Sequence, residues 1–187
     1  MSRAARNKHA TPRRARGGEL VSAGAGAALV QELPDAANGS EGLNGLYSSP
    51  EYLIRRAHQV ATAAFAEACA DLDLTSSQYA ALFALRQQAG IGQNALGRLI
   101  ALDRSTTSLV VKSLKERELV TAWSDPSDRR KTFLELSDKG RLVLAQAEKR
   151  NARSSKNLMS VLNPQQAQEL LKMLRLLGDS TRPEDAV

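Results

Sequence analysis

Residues 124–140, SDPSDRRKTFLELSDKG, crowd Arg129, Arg130 and Lys131 onto a short turn between two apolar runs, with Asp125 and Asp128 beside them. Cations at the tip of a turn do little for a fold, so their chemistry points outward. Guanidinium forks recognise oxyanions such as phosphate through paired N–H donors. Asp128, two residues before Arg130, can hold that fork in one orientation and reduce the entropy lost on binding. Catalysis has less to work with. His9 and His58 are the only histidines and Cys69 the only cysteine, too few for a zinc site or a histidine-based triad, and no glycine-rich phosphate loop is present. The expectation is no enzyme, no metal and no cofactor.

The net charge of +6 invites a polyanionic partner, but its location matters more than its size. Residues 1–16 hold Arg3, Arg6, Lys8, Arg13, Arg14 and Arg16 and no acid, which leaves residues 17–187 neutral. Within that neutral remainder, residues 86–131 carry nine Lys or Arg against five Asp or Glu. This local excess is the usable signal.

The elements that must position those residues follow from caps and periods. Residues 1–48 are rich in Gly, Ala, Ser and Arg without apolar periodicity and read as a disordered basic arm. Ser49 and Pro50 then open a long helix whose stripe includes Leu53, Ala57, Val60, Ala64 and Phe65. Thr75 and Gln78 have the spacing of a capping box for a shorter helix that closes at Gly90. Two more helical patterns follow with only Ala101, Leu102 and Asp103 between them, which forces a sharp helix-turn-helix. After Leu119 the period changes to that of two short strands joined by the basic turn. Ser137 caps another long helix, whose middle from Glu148 to Asn157 is polar enough to be exposed or to flank a partner. Asn163 and Pro164 start a last helix with Leu170, Leu171, Leu174 and Leu177 at helical spacing until Gly178. The apolar faces of the first and last helices exceed what so small a domain buries alone, which implies a homodimer.

On the second helix of the helix-turn-helix, Thr107, Val110, Val111 and Leu114 fall on the buried side. Arg104, Ser105, Thr106, Ser108, Leu109, Lys112 and Ser113 face outward. Small polar and basic side chains on such a face suit the major groove of double-stranded DNA. Arg104 fits guanine edges or phosphate, the hydroxyls fit phosphates or adenine and thymine edges, Lys112 fits phosphate, and Leu109 can touch a thymine methyl. The turn cations Arg129 and Arg130 then reach the neighbouring minor groove, where negative potential is strongest over narrow A·T tracts.

LTSSQYAALFAL, LDRSTTSLVVKSLKERELV and DPSDRRKTFLELSDKG together resemble the MarR family of bacterial transcriptional regulators, over roughly residues 51–178. The resemblance implies a mainly α (α+β) fold: a winged helix-turn-helix at about 75–136 with a two-stranded wing, and dimerisation helices at about 50–73 and 138–178, within a domain spanning 49–187. It makes Asp128 and Arg130 the wing pair and Arg104 to Lys112 the recognition helix. Its members are homodimers that bind pseudo-palindromic operators and usually repress nearby genes until a small ligand or oxidant releases them. The implied location is the bacterial cytoplasm, at the nucleoid. Two features depart from the pattern: Glu118 stands where a glycine commonly ends the recognition helix, and the basic arm is long.

In the family, phenolic or aromatic carboxylate effectors bind between the dimerisation helices and the winged domain, so Arg55, Arg56 and His58 are the candidate ligand-binding residues here. Cys69 lies near the end of its helix with no second cysteine to resolve a sulfenate, which favours burial over oxidant sensing. Trp123 on the first wing strand is read as packing. The alternative function is an architectural protein that binds DNA without sequence preference through the basic arm. No run approaches the ~20 apolar residues of a membrane span, and the N-terminal patch that resembles an export signal is weakened by Glu19 and by Gly and Ala.

Overall fold

The computed structural model describes residues 43–126 and 132–179. The elements run α1 (Asn44–Tyr47), α2 (Pro50–Ala68), a 3-10 turn (Ala70–Leu72), α3 (Ser76–Gln87), β1 (Ile91–Gly92), α4 (Gln93–Leu99), α5 (Arg104–Glu116), β2 (Val120–Ser124), β3 (Thr132–Leu136), α6 (Asp138–Met159) and α7 (Pro164–Asp179). This is the mainly helical winged architecture expected above.

Helix starts follow the capping chemistry. The Ser49 hydroxyl accepts the Tyr52 N–H, Thr75 and Gln78 close a reciprocal capping box, and the Ser137 hydroxyl accepts the Gly140 N–H. Asn163 and Gln166 make a further reciprocal pair before α7. α1 lies inside the stretch assigned to the arm, so regular structure begins a few residues earlier than the sequence indicates; the Tyr47 ring packs 5.4 Å from that of Tyr52. Gly178 does not end the last helix, which continues to Asp179.

The wing hairpin pairs β2 with β3, Val120 opposite Leu136 and Trp123 opposite Phe133. A third strand was not legible in the sequence: β1 adds to the other side of β3, Ile91 opposite Leu134, giving the antiparallel order β1-β3-β2. Two residues are too few to show a period of two.

The core joins the middle elements through Leu82 and Leu85 of α3, Leu96 of α4, Leu114 of α5, Leu134 of β3 and Leu144 of α6, each at most 2% exposed, while α1 and α7 add no buried residue. Close helix approach depends on two glycines. A Cβ on Gly97 would lie 2.7 Å from the Thr107 hydroxyl, and one on Gly140 would lie 2.0 Å from the Leu119 carbonyl oxygen. The first sets how near α4 comes to α5, and the second where α6 leaves the wing.

The polar middle of α6 is not simply a solvated face. Arg86 of α3 reaches Glu148 with both guanidinium nitrogens, at 2.6 and 2.7 Å. Arg150 pairs with Asp71, and the Ser154 hydroxyl donates to the Ala64 carbonyl of α2 at 3.0 Å. These partners lie in distant sequence, so the polar run could not reveal them.

Candidate nucleic-acid interface

The turn between α4 and α5 is tight because Ala101 takes a left-handed backbone, φ 54°, and Asp103 then caps α5. Thr107, Val110, Val111 and Leu114 of α5 are buried, as their spacing predicts. The Thr107 hydroxyl donates to the Asp103 carbonyl at 2.7 Å, which fixes the first turn of the helix from its inner side.

The opposite face of α5 is open. Arg104, Ser105, Ser108, Leu109 and Lys112 are exposed and Thr106 is half-buried. Leu109 is 68% exposed in the middle of this face, an apolar side chain with no core to fill. Lys112 lies 3.9 Å from Glu116, an exposed contact that leaves its ammonium available. Ser113 departs from the expected outward set. Its hydroxyl accepts from the Gln78 side-chain amide at 3.0 Å, while the same glutamine's carbonyl oxygen caps α3, so Ser113 ties α5 to α3.

One residue of this surface was not singled out in the sequence. The Asp103 carboxylate accepts from the Ser105 hydroxyl at 2.5 Å, the Thr106 hydroxyl at 2.6 Å and the Thr106 N–H at 2.9 Å. These bonds, the Ser105 hydroxyl's foremost, hold its carboxyl well below the usual carboxylate range. The signal was in the spacing, since an N-cap Asp followed by Ser and Thr at the second and third helical positions puts both hydroxyls within its reach.

The far end of α5 is anchored by Arg117, whose guanidinium donates to the backbone carbonyls of Asp73 and, at 2.7 Å, Leu72. Glu118 follows with φ 59°, the left-handed cap that the departure from glycine implied. On the wing, Trp123 is 44% exposed but its ring lies 4.6 Å from that of Phe133, consistent with packing across the hairpin. Asp128, Arg129 and Arg130 lie outside the described residues.

The three candidate ligand residues sit on α2. Arg55 is exposed with its guanidinium 5.7 Å from the centre of the Tyr52 ring, Arg56 is half-buried and His58 is exposed. An open groove of about 430 Å³ runs between α2 and α6, lined by residues such as Ala64, Ala68, Arg150, Arg153 and Leu158, and none of the three candidates lines it. Cys69 is fully buried, and burial pushes its thiol pKa up, as a packing role requires. Among the described residues no cluster of His, Cys, Asp or Glu could hold a metal ion, and no helix is long and apolar enough to cross a membrane.

Comparison with known proteins agrees with this geometry. A model of the MarR family matches residues 74–132. The chain is 36% identical over 129 residues to the transcriptional repressor NicR of Pseudomonas putida, covering 69% of this chain and 82% of that protein. Among solved structures, the repressor CouR bound to a 23-mer DNA duplex superposes with a TM-score of 0.67 at 28% identity, covering 79% of this chain and 99% of that one. BpsR of Bordetella bronchiseptica, whose structure concerns regulation of its DNA binding by 6-hydroxynicotinic acid, superposes with a TM-score of 0.66 at 30% identity, covering 71% and 94%. With its helix-turn-helix, its wing hairpin and these likenesses, the chain belongs to the MarR family of DNA-binding transcriptional regulators.

Proposed function

We propose that this protein is a homodimeric, sequence-specific repressor that lays α5 in the major groove of a pseudo-palindromic operator and the wing arginines Arg129 and Arg130 in the adjacent minor groove, with Asp128 orienting the Arg130 guanidinium. The observation that carries the reading is the two-sided character of α5. Its inner residues are locked into the core, while Arg104, Ser105, Thr106, Ser108, Leu109 and Lys112 form an accessible face of donors, acceptors and one apolar contact. CouR, a relative of the same fold, is a repressor bound to duplex DNA.

The homodimer is supported by apolar surface that the single chain leaves open. Leu53 and Ile54 on α2 are 50% and 45% exposed, and Leu171, Met173, Leu174 and Leu177 on α7 lie between 44% and 52%. A second copy covers such stripes. Release by a small aromatic anion is supported by the guanidinium groups of Arg55 and Arg56 and the imidazole donor of His58 on the first half of α2, and by BpsR, whose DNA binding is regulated by 6-hydroxynicotinic acid.

The test is selection of genomic fragments by the purified full-length protein at physiological salt. A recovered palindrome with half-sites about one DNA turn apart is expected. On that operator Arg130→Ala should weaken binding by roughly 1 to 3 kcal/mol and Asp128→Ala by less. Unchanged binding by Arg130→Ala would remove the wing from the reading. Fragments sharing no motif would instead favour architectural binding through the basic arm.

A further inference from the structure

We infer that Asp103 commits the hydroxyl protons of Ser105 and Thr106 and so makes this pair a hydrogen-bond acceptor surface, which reads the amino group of an adenine in the major groove rather than a phosphate. The inference rests on α5 being the groove-reading helix. It adds a positioning role for Asp103 and a specificity for the two hydroxyls.

The argument is a count of protons. An ionised carboxylate can only accept, and both Asp103 oxygens are occupied, Oδ1 by the Ser105 hydroxyl and the Thr106 N–H and Oδ2 by the Thr106 hydroxyl. Each hydroxyl has one proton, and it is spent on Asp103. What each presents to a ligand is therefore lone pairs. Phosphate oxygens also offer only lone pairs, so a committed hydroxyl gains nothing from the DNA backbone unless it first abandons a charge-assisted bond of 2.5 or 2.6 Å. The major-groove edges of bases offer two neutral donors, the N6 amino group of adenine and the N4 amino group of cytosine.

A second observation chooses between them. Leu109 stands four residues after Ser105 and three after Thr106, on the same helix face, and is 68% exposed. An A·T pair displays both the adenine amino group and, beyond the thymine O4, the thymine methyl in the major groove, whereas a C·G pair has no methyl. The acceptor pair with its apolar neighbour matches A·T: amino group to hydroxyl, methyl to Leu109. Thr106 is half-buried and Ser105 exposed, so Ser105 makes the closer approach.

The experiment uses the full-length protein and the site it selects from a randomised duplex pool. Replacing one adenine per half-site by purine, which lacks the amino group but keeps the ring, should weaken wild-type binding roughly three- to tenfold at a single position. The Ser105→Ala, Thr106→Val double variant should bind the unmodified site correspondingly less well and be indifferent to that replacement. Asp103→Asn, which swaps one acceptor for a donor and lets the Thr106 proton turn outward, should relax the preference for adenine at the same position while a thermal melt reports that the fold is kept. If the double variant loses affinity equally on all sequences with its preference intact, the hydroxyls contact phosphate and the inference is overturned. The inference also falls if no adenine in the site is sensitive, although the selected motif would leave the regulator reading standing. A pool yielding no motif would overturn both.

Discussion

Glu118 occupies a left-handed backbone position, φ 59°, that an L side chain reaches only at a cost of about 1 kcal/mol, because its Cβ crowds the following carbonyl. Its carboxylate lies 3.6 Å from Lys139, with the two side chains 83% and 59% exposed, and such a pair returns little in water. Its carbonyl, which accepts the Ser137 hydroxyl at 2.7 Å, belongs to the backbone and survives substitution. Glu118→Gly is therefore expected to raise stability by about 1 kcal/mol in urea denaturation; a lower midpoint would mean that the contact with Lys139 outweighs the strain. At this scale the sequence was informative wherever a side chain acts on its own neighbours. The caps at Ser49, Thr75 and Ser137 were readable because each involves residues three apart, whereas the missing glycine at the end of α5 was visible only through the family resemblance. The Gln78 contact with Ser113 was not, because 35 residues separate them.

At the scale of elements, the junction of wing and long helix depends on Gly140. The Ser137 N–H donates to the Leu119 carbonyl at 3.2 Å, and a Cβ on Gly140 would collide with that same oxygen. Gly140→Ala should cost about 1–3 kcal/mol, since the obstacle is backbone and α6 must move away from β2. Gly97→Ala should cost less, because there the nearest atom is a side-chain oxygen rather than backbone and alanine favours the helix, but some cost remains: turning Thr107 would break its bond to the Asp103 carbonyl, and the Leu102 carbonyl stands 3.2 Å away. Thermal melts of the two variants would compare them, and equal losses would show that Thr107 is as immovable as backbone. Among the elements themselves, every helix from α2 to α7 and both wing strands had a period or a cap to announce them. β1 had neither: Ile91 and Gly92 become a strand only because β3 lies alongside.

Over the whole molecule, the winged unit is tied to the long helix α6 by charge as well as by the core. Arg86 packs its guanidinium 4.9 Å from the centre of the Phe83 ring while gripping Glu148, and Arg150 pairs with Asp71 in the turn that leads into the winged unit. The Arg86 guanidinium holds the Glu148 carboxyl below its ordinary value of 4.5. A carboxyl lowered in the folded state adds stability that is fully present above the unfolded value and lost as pH falls through the folded one. The melting temperature of Glu148→Gln should accordingly fall below that of the wild type at neutral pH, and the gap should close as pH drops below 4.5. A gap independent of pH would assign the difference to packing. The pair of Arg86 with Glu148 joins the winged unit to the helix that follows it, so the same variant reports how firmly the two are held together.

The sequence by itself determined the order of helices from α2 to α7, the caps at Ser49, Thr75 and Ser137, the buried side of α5 and most of the face it leaves to solvent, because periodicity and capping act over one or two turns. It also showed the local charge excess of residues 86–131. Only the tertiary structure decided what the polar middle of α6 touches, where β1 pairs and which outward residues already have partners, since those contacts join segments far apart in the chain. Asp103 stands between the two cases. Its spacing to Ser105 and Thr106 was written in the sequence, but only the folded turn, with the left-handed Ala101 aiming the cap along α5, shows both hydroxyl protons directed onto one carboxylate.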